Sequence, residues 1–294
     1  MTGDVVISGS STVQPMVSRF AGSFVSEFPL SRVNLDAPGT GEGFLLFCDG
    51  LTDLNNASRQ INPVESSSCE GNGVEYIELE IARDAAVVVV SDQMTTPRCL
   101  DFLQLDALTG PLSAGADNWN AAAGFSGLDS KQVPTMPFRV VAPEAGSGTT
   151  EVYTDLVIAD NAELHGQPQE LRRDVLSVPT DQLVGDVVRA TPGTMGILGY
   201  SVASEEQGLR TLELDGEDGC VAPNRDTIAD GTYPLSRALY VYVNVDRARD
   251  SETVSSFVDR LASADLSQEA IDAGAIPAPE DSIARNQEIW GESG

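Results

Sequence analysis

Three short stretches of this chain carry residue types that can grip an anion without help from a metal or cofactor. They are Gly9-Ser10-Ser11-Thr12, Pro38-Gly39-Thr40-Gly41-Glu42-Gly43 and Ala145-Gly146-Ser147-Gly148-Thr149-Thr150. Glycine lets the backbone come close, and Ser and Thr add hydroxyl donors. A helix starting just beyond would present unpaired N–H groups and about half a positive charge. A further stretch, Asn56-Ala57-Ser58-Arg59-Gln60-Ile61, brings a guanidinium. Its fork can hold a tetrahedral anion through two parallel hydrogen bonds. A single Gly-Ser-Ser-Thr turn is most often only a helix cap. Three such turns converging on one small oxyanion would be more informative.

The elements around these turns repeat a pattern. Asp4–Ser8 is a β-rich run, and Met16, Phe20, Phe24 and Phe28 then recur every four residues, as on one face of a helix. Pro15 falls in the first turn, where proline is tolerated. Residues 33–37 read as a second strand, followed by the Gly-rich turn and a buried helix opening at Phe44-Leu45-Leu46-Phe47. Pro137–Ala142 is a third strand, and Val152, Tyr153, Leu156 and Val157 carry the helix after its turn. Strands alternating with helices predict an α/β fold with mainly parallel sheets. Glu80–Val89 and Tyr233–Tyr242 each join a polar lead to a long β-rich run and read as crossings between two lobes. The expected division is residues 1–84 and 239–294 for a discontinuous first lobe and 85–238 for an inserted second one. The tail returns through a helix near Glu252–Leu261.

Composition narrows the function classes. The chain has 294 residues, with 45 acidic and 17 basic ones, hence a formal charge of −28. Its sequence pI of about 4.1 excludes the basic face that nucleic acid requires and disfavours anionic membrane surfaces. One Lys (Lys131) stands against 16 Arg, an acidic, lysine-poor balance suited to a saline, halophilic habitat where salt screens repulsion. No run of 18 apolar residues is present, and the longest strongly apolar stretch is Ala85–Val90. No leader precedes Thr2-Gly3-Asp4-Val5, as expected of a chain starting at a mature N-terminus.

Four cysteines, none in a CxxC pair, point to export and two bridges. Of the three connectivities, Cys48–Cys69 with Cys99–Cys220 is favoured, and four buried thiols are the alternative. Enzyme readings are poor. There is no GxxxxGK[ST] loop, Ser147 is not in a GxSxG elbow, and the one histidine, His165, sits in a polar stretch. One His and scattered Cys argue against zinc. The acidic clusters Glu205-Glu206 and Asp215-Gly216-Glu217-Asp218 lack an EF-hand pattern. No cofactor and no metal are expected.

Taken in order, Gly9–Val13, Gly39–Phe44, Phe47–Gly50, Asn56–Arg59, Gly146–Thr149, Thr191–Tyr200 and Gly231–Arg237 resemble phosphate-binding proteins of ABC transporters. Cys69 and Trp119-Asn120 also sit where a large branch of that family has them, and the resemblance spans nearly the whole chain. It implies a type II periplasmic binding protein fold, two α/β lobes joined by a two-segment hinge. Such proteins close over inorganic phosphate and deliver it to the permease subunits of a transporter. By motif, Ser11, Thr12 and Val13 would supply donors from the first turn, and Thr40 and Gly41 from the second. Arg59 would follow its Ala-Ser pair, and Ser147, Gly148 and Thr149 would close from the second lobe. Two positions depart from some members. Arg59 stands where they have an Asp that accepts the phosphate proton, and Pro143 stands where they have an Arg. The cation has changed lobes, as in the Asn-Ala-Ser-Arg branch. The proton acceptor is unassigned, with Glu42 a candidate. A monomer outside the cytoplasm, periplasmic or extracellular, is expected, and lipid anchoring of the precursor is left open. The alternatives are a binding protein for sulfate or molybdate, a phosphoester hydrolase on this fold, or a surface scavenger without a transporter.

Overall fold

The computed structural model describes residues 1–126, 131–216, 219–263 and 266–293. Two units divide the chain, Met1–Arg83 with Arg237–Gly294, and Asp84–Ser236. Both are α/β.

Unit 1 is built from strand–turn–helix repeats. β1 (Gly3–Gly9) pairs in parallel with β2 (Ser31–Leu35) and β3 (Leu54–Ala57), so it lies between them. The strand Ser236–Asn244 runs antiparallel to β3. The long β4 (Tyr76–Ser91) begins in unit 1, where Ala82 and Arg83 pair with Ile276-Pro277. α1 (Gln14–Glu27) follows β1, α2 (Thr40–Cys48) follows β2, and α3 (Pro63–Gly71) follows β3. The face of α1 carrying Met16, Val17, Phe20, Ala21 and Phe24 is buried against Val5 and Ile7 of β1 and against Phe257 and Leu261 of the helix Glu252–Ser263. Phe20 and Phe24 both meet the Phe257 ring edge-on at about 5 Å. Phe28 is the C-cap of α1, so the fourfold aromatic repeat ends one residue past the helix.

In unit 2, β4 continues antiparallel to Thr194–Gly199 and to Leu209–Thr211. Thr194–Gly199 runs parallel to Arg139–Pro143, which runs parallel to Leu176–Val178. A small sheet of Cys99–Leu100, Glu213–Gly216 and Gly219–Val221 stands apart. The sheets are thus mixed rather than mainly parallel. β1 and β2, joined by the crossover helix α1, run parallel, whereas the strand Ser236–Asn244 and the unit 2 part of β4 pair antiparallel with β3 and with Thr194–Gly199.

Two disulfides form, Cys48–Cys69 tying α2 to α3 in unit 1 and Cys99–Cys220 tying strands of the small sheet in unit 2. Among the described residues, no helix is long and apolar enough to cross a membrane.

Candidate functional site

The turns after β1, β2 and β3 leave the same, carboxyl edge of the parallel strands, and their backbones are tied together. The Gly39 N–H donates to Gly9 O at 3.0 Å, and the Ser10 N–H to Asn56 O at 2.8 Å. Glycine makes this contact possible. Gly9 has φ +123°, and a Cβ there would sit 2.1 Å from Asn56 O. A Cβ on Gly43 would fall 2.1 Å from Asn55 Oδ1 and 2.4 Å from the Gly9 Cα. Side chains add to the lock. Thr40 Oγ1 shares a hydrogen bond with Ser58 Oγ at 2.9 Å and accepts the Ser58 N–H at 3.2 Å. Ser8, Asn55 and Asn56 are buried at these strand ends, and their side-chain polar atoms find no hydrogen-bond partner among the described residues.

In the first turn, the sequence suggested a hydroxyl N-cap for α1. The N-cap is Val13, without a side-chain cap. The buried Ser10 instead takes the Thr12 N–H on its own Oγ at 3.2 Å, while Ser11 is exposed. Thr12 Oγ1 accepts an N–H from Arg237 Nη2 at 3.3 Å. That second guanidinium of unit 1 was not singled out from the sequence as a site residue. It lies far along the chain, and its only signal was its place in the Gly231–Arg237 motif. In the second turn, the helix begins at Thr40, inside the glycine-rich stretch, so Thr40 and Gly41 occupy its first positions. Glu42 is exposed in that first turn, where an acid suits the helix dipole.

Arg59 reaches Gly41, its Nη2 lying 3.8 Å from where a Gly41 Cβ would be, and its guanidinium stacks over the Phe44 ring at 5.6 Å. Its fork is held bidentately by Glu65, at 2.8 and 2.7 Å, and Nη1 also donates to Gln60 O. Glu65 is fixed in turn by the Asn62 capping box of α3. The loop is pinned from below as well. The Ile61 N–H donates to the Tyr242 hydroxyl, which donates to Glu78, and Gln60 also reaches Glu78. Burial and the Glu78 carboxylate push the Tyr242 phenol up, so it stays a neutral donor.

In unit 2, Ser147 is the N-cap of the helix Gly148–Tyr153, its Oγ accepting the Thr150 N–H at 3.1 Å and donating to Thr150 Oγ1. Gly148 and Thr149 are the first two helical residues. Thr149 Oγ1 donates to Asp181 Oδ2 at 3.1 Å, and the Gly199 N–H donates to the same oxygen at 2.9 Å. Burial pushes the Asp181 carboxyl above its ordinary range, while these two hydrogen bonds pull it back. Unit 1 therefore brings Ser11, Thr12, Val13, Thr40, Gly41 and Arg59 to one strand edge, and unit 2 holds Ser147, Gly148 and Thr149 together on one turn.

Other chemistry is confined to other places. His165 lines a cavity of about 240 Å³ in unit 2 with Asp106 and Asn161. Asp215 comes close to Cys99 and Cys220, but both sulfurs are in the disulfide. Glu217 and Asp218, of the acidic cluster noted above, lie outside the described residues.

Parallel strands of an α/β sheet thus end together in turns rich in glycine and hydroxyl groups, the edge of such sheets where small ligands commonly bind. The chain belongs to the PBP superfamily, whose domain matches residues 2–265. Protein SphX of Synechocystis sp. is 31% identical over 280 residues, covering 94% of this chain and 79% of that one. The phosphate-binding protein PstS of Staphylococcus saprophyticus is 26% identical, over 97% and 83% of the two chains. A possible phosphate-binding protein from Planctomyces limnophilus superposes with a TM-score of 0.86 at 24% identity, over 100% and 99% of the chains. An ABC-type phosphate transport receptor from Vibrio cholerae reaches 0.70 at 20% identity, over 92% and 99%. The architecture is the type II periplasmic binding protein fold.

Proposed function

We propose that this chain is an extracytoplasmic solute-binding protein that captures inorganic phosphate and hands it to the permease of an ABC transporter. The observation that carries the reading is the common edge of β1, β2 and β3, where Thr12, Thr40, Gly41 and Arg59 are brought to turns locked by backbone hydrogen bonds. Turns held in place by backbone hydrogen bonds suit a small tetrahedral anion, because little backbone freedom is lost when it arrives, and the Arg59 fork joins by giving up part of its hold on Glu65. We read the turn of Ser147, Gly148 and Thr149 in unit 2 as a further group of anion contacts. The PstS relative, a phosphate-binding protein, supports a role in binding rather than catalysis. We read the protein as a monomer working in the periplasm or at the cell exterior.

Local donors must overcome a net charge of −28. Salt screens that charge beyond about 8–10 Å, so the dipoles and guanidinium at contact range decide the outcome. The test is calorimetric titration with phosphate, sulfate and molybdate in separate runs from pH 5 to 9. Phosphate binding at least about a hundredfold tighter than sulfate is expected. Equal affinities, or tighter binding of molybdate, would replace phosphate as the ligand.

A further inference from the structure

Three segments of unit 2 that are distant in sequence meet at one carboxylate oxygen. Asp181 opens the helix Asp181–Ala190 behind its N-cap, Thr180, and its Oδ2 receives the Thr149 hydroxyl and the Gly199 N–H. Gly199 makes room for this junction. A Cβ there would stand 2.9 Å from Asp181 Oδ2 and 3.3 Å from Thr149 Oγ1. The carboxylate is therefore held in place by the strand end on one side and by its own helix on the other.

A threonine hydroxyl has one proton and two lone pairs. An ionised carboxylate can only accept, so the contact between Asp181 and Thr149 consumes the one proton that Thr149 owns. Whatever else approaches Oγ1 then meets lone pairs. We propose that Asp181 fixes Thr149 as a hydrogen-bond acceptor toward the bound anion, and so makes this protein prefer an oxyanion that carries its own O–H, hydrogen phosphate, over a fully deprotonated one such as sulfate. The inference rests on the phosphate-binding reading above, which takes Thr149 as a ligand contact, and it supplies a hydrogen-bond acceptor for the ligand O–H. The contact is a hydrogen bond from the ligand O–H to the Thr149 oxygen, and no proton is transferred. Asp181 is a positioning residue, since it acts only through Thr149.

The experiment compares the full chain with its Asp181→Ala and Thr149→Val variants by calorimetry at pH 8. Sulfate affinity is read by competition against inorganic phosphate. In Asp181→Ala the hydroxyl is released to donate to any anion, and the ratio of phosphate to sulfate affinity is expected to fall about tenfold or more. A variant in which both affinities fall by the same factor would reduce Asp181 to a structural role and overturn the proposal. Thr149→Val decides the matter even if Asp181→Ala does not fold, which thermal melting reports. It is expected to weaken phosphate about tenfold more than sulfate. Sulfate weakening as much as phosphate would mean that the hydroxyl donates to the ligand, and the proposal would fall. If the unaltered chain binds no phosphate at all, the functional reading itself fails, a result distinct from an unchanged ratio in the variants.

Discussion

The two units carry the same Gly/Ser/Thr signature but give its threonine partners of opposite charge. In unit 1, Thr12 Oγ1 receives an N–H from Arg237, and Arg59 lies beside Gly41. In unit 2, the Thr149 hydroxyl gives its proton to Asp181. The residue type at the turn is the same, yet in one unit its oxygen is approached by a cation and in the other its hydrogen is drawn off by an acid. A hydroxyl's direction is set by its partner, so the turn motif alone does not say whether a threonine offers a proton or a lone pair.

The largest contrast to test is in the two disulfides, one per unit. Their sequence separations are 21 and 121 residues for Cys48–Cys69 and Cys99–Cys220. Chain-entropy reasoning assigns about 3 kcal/mol to the shorter loop and about 5 kcal/mol to the longer. The double variant Cys99→Ser/Cys220→Ser is therefore expected to lose more stability in urea than Cys48→Ser/Cys69→Ser. An inverted order would mean that the packed contact of α2 with α3 matters more than loop length.

Next in size is the charge asymmetry. Arg59→Ala is expected to weaken phosphate binding at least a hundredfold, about 2.7 kcal/mol, as for loss of charge-assisted hydrogen bonds to the anion. The bidentate hold of Glu65 on Arg59 offers a sharper form of the same experiment. If Arg59→Ala leaves the titration unchanged while Arg237→Ala abolishes it, the working guanidinium of unit 1 is the one that touches Thr12.

Much of this arrangement was legible in the residues. The spacing of Met16, Phe20 and Phe24 placed the buried face of α1, and the apolar run Ala85–Val90 lies within β4. The four cysteines agreed with the two disulfides that form. What escaped was long-range. The partners of Thr12 and Thr149 lie 225 and 32 residues away, at positions no local period marks. The start of α2 also escaped, because three glycines in six residues read as a turn. The tight approach to Gly9 and Asn55 requires a residue without Cβ at Gly43, although that position is helical. Helix propensity was overridden by packing there.

That packing supplies the third comparison. A methyl group on Gly43 meets Asn55 Oδ1 and the Gly9 backbone, while one on Gly146 in the corresponding turn of unit 2 meets nothing within 4 Å. Gly43→Ala is expected to cost about 2 kcal/mol by overpacking, and Gly146→Ala to change stability by less than about 0.5 kcal/mol. Thermal melts of the two variants read the difference. Equal melting shifts would show that the turns of unit 1 are no more tightly locked than that of unit 2.

The smallest effect lies within unit 2, where two carboxyls are displaced in opposite directions. The fully buried Arg172 holds Asp174 well below the usual carboxylate range, at about 2, chiefly through their hydrogen bonds at 2.6 and 2.7 Å. Burial raises Asp181 instead. Linkage then gives opposite signs. Asp174 contributes stability that is present above its ordinary pKa and is lost as pH falls through about 2. Ionised Asp181 costs stability at neutral pH, and that cost is relieved as pH falls through its raised value. Asp174 is 46% exposed, so solvent screening holds its share of the acid limb to about 1 kcal/mol or less. Urea melts between pH 7 and 2 are expected to show Asp174→Asn flattening the loss of stability in acid and Asp181→Asn steepening it. If both variants tilt the curve the same way, the opposed environments inferred for the two carboxyls are wrong, and with them the view that unit 2 presents a buried acid behind its threonine.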